Sequence, residues 1–217
     1  MRTLVTDIRD AVEHLPPASV LVLDQITWPS YEKLLECFEH RPGLRVTYDH
    51  GRLELVTTSS EHEHWKEFIL RLVHVLCEDF DLDLQTYGSA TQKRKSDAKG
   101  TEPDTCFYIR NARRVIGRSV DILNPPPDIV VEVDKSNQSL SKFPIYATFG
   151  VLEIWRCDVR RKRVMIYELE GKSYIERSAS PSLPILTGDV IARFVEQSHT
   201  DGQSAAIKAF RRWLKTK

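Results

Sequence analysis

Two carboxylates and an ammonium stand where one chain could gather them. In the stretch Asp128-Ile129-Val130-Val131-Glu132-Val133-Asp134, a β-strand would point Asp128, Val130, Glu132 and Asp134 to one face and Ile129, Val131 and Val133 to the other. A carboxylate inside so apolar a strand is costly unless it is paired or bound to a metal. Glu132 is therefore either one half of a buried ion pair, an acid on a wet edge strand, or a functional acid. Asp104 follows Glu102-Pro103 at the entrance of a second apolar run. By itself that is only turn chemistry. Lys142 lies ten residues beyond Glu132, near enough for a chain that reverses into a helix to return its ammonium to the acids. Two carboxylates suit a hard divalent cation such as Mg2+, and a nearby ammonium suits chemistry on a charged oxygen.

The elements that must position these residues are legible from periodicity. Residues 20–23 read as a short strand, and Trp28-Pro29-Ser30 leads into a helix with Leu34, Leu35 and Phe38 on one face. Residues 44–48 and 52–56 alternate in polarity around Asp49-His50-Gly51, which predicts a hairpin with Glu54 on its second arm. A long helix is expected from Ser59 or Ser60 to about Phe80, with Glu63 as a capping acid for Ser60. His64 on this helix is expected to be solvated. Strands should follow at residues 82–87, 104–109 and 129–133, then a helix from about Ser139 to Phe149 stopped by Gly150. Further strands at 151–156 and 163–169 and helices at 189–196 and 205–215 complete a mixed sheet with helices packed on it, an α/β fold.

Composition narrows the class. With 217 residues, 41% apolar and 29% charged, the chain has enough apolar content for a packed core and reads as one soluble domain. No run is long and apolar enough to span a bilayer, and residues 1–15 carry five charges where a signal peptide needs an apolar core. A cytoplasmic location is the expectation. Cys37, Cys77, Cys106 and Cys157 form no CxxC pair and read as reduced, mostly buried thiols. The 31 basic and 31 acidic side chains cancel, so bulk charge cannot drive binding to nucleic acid. Local clusters would have to do so, at residues 93–99, 110–118, 160–163 and 208–217.

Taken in order, the segments Arg45-Val46-Thr47-Tyr48-Asp49-His50-Gly51-Arg52-Leu53-Glu54, Ser60-Glu61-His62-Glu63, Gly88-Ser89-Ala90-Thr91, Glu102-Pro103-Asp104, Pro126 to Asp134 and Ile145-Tyr146-Ala147 through Arg156 resemble the Uma-two family of restriction endonucleases. The likeness spans about Trp28 to Leu169. That family is placed in the PD-(D/E)xK nuclease superfamily, so the resemblance implies a restriction-endonuclease-like fold with a central mixed sheet flanked by helices. It further implies a single nuclease-like domain over residues 1–217, with an N-terminal extension to about residue 40 and a C-terminal helical extension over about 187–217.

The resemblance also implies a Mg2+-dependent endonuclease, with Mn2+ as a substitute, acting on nucleic acid and on DNA in the first instance. Asp104 and Glu132 become metal ligands, and Lys142 becomes a catalytic lysine that has migrated onto the next helix, because Asp134 holds the position where the superfamily motif has Lys. Glu54 and His62 are expected to line the same site, to orient water or bind the scissile phosphate; the bland alternatives are an exposed hairpin acid and a first-turn histidine. A homodimer is the expectation for an enzyme that cuts both strands. Two other functions fit the same residues: a catalytically silent module that binds nucleic acid or a partner, and a hydrolase of a small phosphorylated molecule.

Overall fold

The computed structural model describes residues 4–117, 124–134 and 142–217. The chain begins with α1 (Leu4–Glu13), β1 (Val20–Leu23), α2 (Trp28–Phe38), the hairpin β2 (Leu44–Asp49) and β3 (Arg52–Thr57), and the long α3 (Ser60–Asp79). Short strands β4 (Gln85–Thr86), β5 (Gln92–Arg94) and β6 (Lys99–Thr101) lead to β7 (Thr105–Tyr108) and α4 (Ala112–Val115). The remainder is β8 (Ile129–Asp134), α5 (Phe143–Phe149), β9 (Glu153–Asp158), β10 (Arg163–Glu170), β11 (Ser173–Arg177), α6 (Gly188–Thr200) and α7 (Gln203–Leu214).

The α/β expectation holds, but the strands divide into two sheets. An antiparallel sheet runs β1-β3-β2-β6-β5, and a mixed sheet runs β11-β10-β9-β8-β7-β4. Only the β8–β9 pairing is parallel among the described strands, which α5 makes possible by carrying the chain back between them. The β2–β3 turn has His50 and Gly51 both at positive φ (48° and 94°), the geometry that follows the twist of a tight hairpin.

Three apolar clusters hold these layers. Phe107, Ile129, Val131 and Val133 of the mixed sheet pack on α3, α6 and α7. On the opposite face Cys106, Tyr108, Val130 and Ile154 meet Ile145, Tyr146 and Phe149 of α5. The antiparallel sheet buries Val46, Tyr48, Leu53 and Leu55 against α1 and α2. Strand β8 therefore alternates faces as its sequence predicts, and each large apolar side chain it fully buries contributes about 1.5–3 kcal/mol. Because Val46 and Tyr48 face α2, Arg45 and Thr47 must face away from it, and Glu54 shares their side of the sheet through its register with Thr47.

Several local expectations are corrected. The cap of α3 is Ser59, which accepts from the His62 amide, so Ser60 is the first helical residue and Glu63 is no capping acid. Glu63 instead pairs with Lys66. Helix α5 begins at Phe143, placing Lys142 at its N-cap rather than in its first turn. The anticipated start near Ser139 and Lys135, Asn137 and Gln138 lie outside the described residues. His64 is half-buried and has protein partners: Nε2 lies 2.8 Å from Ser198 Oγ, and its ring stacks on His199 at 3.8 Å. The four cysteines are unpaired, and only Cys37 is exposed.

Candidate active site

Asp104 is brought to the mixed sheet by the Pro103 lead-in, which places its amide on Val131 O at 3.1 Å just ahead of β7. Its carboxylate turns back over β8, where Oδ2 accepts from the Val133 amide at 2.8 Å. Oδ2 also lies 2.9 Å from His62 Nε2, and Oδ1 lies 3.3 Å from Arg45 Nε. Burial alone would push this carboxyl up, but His62, then Lys142 and Arg45, outweigh it and hold it well below the usual carboxylate range.

Glu132 projects from β8 into the same recess. Its Oε2 accepts from Lys142 Nζ at 2.8 Å, and its Oε1 accepts from the Tyr146 hydroxyl. Burial pushes it up to about 7; the Lys142 charge opposes that shift and the Asp104 charge adds to it. Lys142 is raised as well, because Glu132 and Asp104 outweigh the cost of burying the ammonium. Its Nζ also donates to the Glu102 carbonyl at 3.2 Å, which fixes the lysine against the turn that carries Asp104.

These groups floor an open cavity of about 400 Å³ between the two sheets. Arg45, Glu54 and Val56 enter from the antiparallel sheet, His62 from the start of α3, and Lys142 and Phe143 from the start of α5. Arg156 and Tyr167 close the far side. Glu54 is fully buried, so the exposed-acid alternative for it is excluded. His62 is buried against Asp104 and likewise is no surface histidine. Asp134, at the motif's lysine position, pairs with Arg156 at 2.6 Å.

All five residues singled out from the sequence thus line one cavity. Sequence reasoning assigned no part to Arg45, Tyr146 or Arg156. Tyr146 had a signal: it follows Lys142 by four residues, a spacing that shares a helix face. Arg45 and Arg156 had none beyond a cation on an alternating strand.

The donor set can be tested against a divalent ion. Among the described residues no three His, Cys, Asp or Glu side chains gather closely enough to hold an ion by themselves. The site offers two buried carboxylates, of which Glu132 has its pKa raised by burial and by the neighbouring Asp104 charge. Two hard oxygen donors, with the remaining positions left to water and substrate, match how Mg2+ binds, so the residues fit the ion. It would compete with Lys142 and His62 for the carboxylate oxygens.

The family model described as "Putative restriction endonuclease", Uma2, matches residues 28–197. A solved structure described as a "putative nuclease belonging to DUF820", from Anabaena variabilis, is similar at 13% identity and TM-score 0.49, covering 69% of this chain and 90% of that one. No curated protein matches the sequence.

Proposed function

Because the chain belongs to the Uma2 family of restriction-endonuclease type, we propose that it is a Mg2+-dependent nuclease of the PD-(D/E)xK type that hydrolyses phosphodiester bonds, DNA being the first substrate to test. The observation that carries this reading is the contact of Lys142 Nζ with Glu132, 2.8 Å, in the cavity that Asp104 also lines. A divalent ion held by Asp104 and Glu132 would polarise the phosphate and lower the pKa of an attacking water.

The chain's own residues divide the remaining work. Lys142 orients the water and stabilises charge developing on the phosphate. His62 and Arg45 fix the two oxygens of Asp104, and Tyr146 fixes Glu132, so both carboxylates are aimed before substrate arrives. Glu54, buried on the facing sheet, is the further acid placed to orient water.

The test is incubation of the purified chain with labelled DNA and RNA, in Mg2+, Mn2+ or EDTA, beside Asp104→Asn and Glu132→Gln. Cleavage that needs the ion and both acids is expected. Cleavage that persists in both variants would remove this cavity from the chemistry. Binding of nucleic acid without cleavage in any metal would favour the silent module.

A further inference from the structure

We propose that the cavity receives one unpaired nucleotide of a single nucleic-acid strand, its base lying against a wall built by Phe143 and Tyr167. The proposal rests on the nuclease reading and narrows its substrate class. Three observations carry it. The first is the make-up of the lining: beside the buried acids stand Val56, Phe143 and Tyr167, an apolar and aromatic surface that catalysis on a phosphate does not require. The Phe143 and Tyr167 rings meet edge to face at 4.9 Å, and Tyr174 buttresses Phe143 at 5.3 Å, so the wall is set before any ligand enters.

The second observation is depth. Asp104 is 4% and Glu132 8% exposed, so a scissile phosphate must descend into the recess to meet them. A duplex presents its phosphates on a broad, stiff rod with the bases stacked inside. An unpaired strand can bend its backbone into such a recess more readily than a stiff duplex can. At about 400 Å³ the open cavity is of a size to take one nucleotide of such a strand.

The third is Arg156. Its guanidinium is held by Asp134 at 2.6 Å and remains one-third exposed (33%) at the cavity. The carboxylate offsets part of its charge through Nε, and a guanidinium has further N–H donors beyond that one. Those donors can serve the edge of a base as well as a phosphate oxygen. Stacking on an aromatic wall tolerates every base, so the preference is for an unpaired strand and not for a sequence.

The experiment is fluorescence anisotropy of a labelled twelve-nucleotide single strand and of the same sequence as a blunt duplex, on the full chain with calcium in place of magnesium. The single strand is expected to bind at least about tenfold tighter. Tyr167→Ala should weaken single-strand binding about fivefold or more while leaving duplex binding unchanged, and Tyr167→Trp should restore it. Should the alanine variant melt well below wild type, Tyr167→Leu, which fills the space without a π face, takes its place. Duplex binding equal to or tighter than single-strand binding, no binding of either, or indifference to loss of the Tyr167 ring would overturn the proposal. So would full competition by a free nucleoside monophosphate at the strand's own affinity, which would make the ligand a small molecule. Ring-dependent strand binding without cleavage in any metal would keep this inference and sink the nuclease reading. Duplex cleavage indifferent to Tyr167 would do the reverse.

Discussion

Asp104 and Glu132 sit in one recess, yet their surroundings push them in opposite directions. Asp104 is held ionised by His62, Lys142 and Arg45, whereas burial and the neighbouring Asp104 charge push Glu132 up to about 7. A folded chain that keeps a proton on Glu132 where the unfolded chain has lost it is favoured at low pH. That contribution is full below the ordinary glutamate range and is lost as pH rises through about 7. A glutamine side chain cannot titrate, so the melting temperature of Glu132→Gln relative to wild type should move in the variant's favour between pH 5 and pH 8, by the equivalent of roughly 1–3 kcal/mol. A flat difference across that range would contradict the burial argument. Lys142→Ala should lower cleavage at least about a hundredfold while changing substrate affinity only a few-fold, measured by single-turnover kinetics beside a binding isotherm. Retained cleavage would remove Lys142 from the catalytic set. Glu132 was legible in the sequence because a carboxylate flanked by valines has few tolerable fates. Arg45 was not, because its partner Asp104 lies far from it along the chain and only the packing of the two sheets brings them together; Tyr146 showed only through its four-residue spacing from Lys142.

At the scale of elements, legibility followed length and periodicity. The β2–β3 hairpin, α3, β8 and the two C-terminal helices are long enough to show their period, and each lies within a few residues of its expected place. Strand β4 occupies only Gln85–Thr86 of the strand expected at 82–87, and β5 and β6, of three residues each, are fixed by neighbours in the sheet and not by any pattern of their own. Strand β11 was missed because its residues are mostly exposed and carry little apolar alternation. The docking of α6 has a sharper requirement that sequence alone does not reveal. A Cβ on Gly188, the first residue of that helix, would stand 1.9 Å from the Val164 carbonyl oxygen of β10. Backbone cannot swing aside as a side chain does, so Gly188→Ala should destabilise the fold by about 1–3 kcal/mol. Urea denaturation measures this, and a midpoint within error of wild type would show that α6 and β10 can separate without cost. Ser59 marks the other end of the same logic: its cap of α3 fixes the turn that carries His62 to Asp104.

For the whole molecule, the balance of charge bears on how nucleic acid would be held. The net charge is zero, and seven of the sixteen described basic residues in the four candidate clusters are paired with carboxylates, Arg94 with Asp97 among them. Lys93 lies on Glu32, Lys99 on Asp49, Arg113 on Asp83, Arg161 on Asp158, Lys162 on Glu196, and Arg211 on Glu78 and Asp79. Arg118, from the same set, lies outside the described residues. Such exposed pairs add little stability, but each carboxylate remains beside its cation and repels an approaching phosphate. The sequence showed the balance of charge but not this pairing, which joins residues as far apart as Arg211 and Asp79. With nearly half of those cations held by carboxylates and no net charge to attract a strand, nucleic acid should be held chiefly by the cavity itself and by few outer phosphate contacts. For a single strand the logarithm of affinity falls with the logarithm of salt at about −0.7 per phosphate neutralised. With about three contacts or fewer, affinity should drop less than about thirtyfold between 50 and 200 mM salt. Anisotropy titrations at four salt concentrations give this slope directly. A loss of about a thousandfold would mean that the surface pairs open to grip the backbone, and that binding is spread over the outer face of the molecule instead of concentrated in the recess.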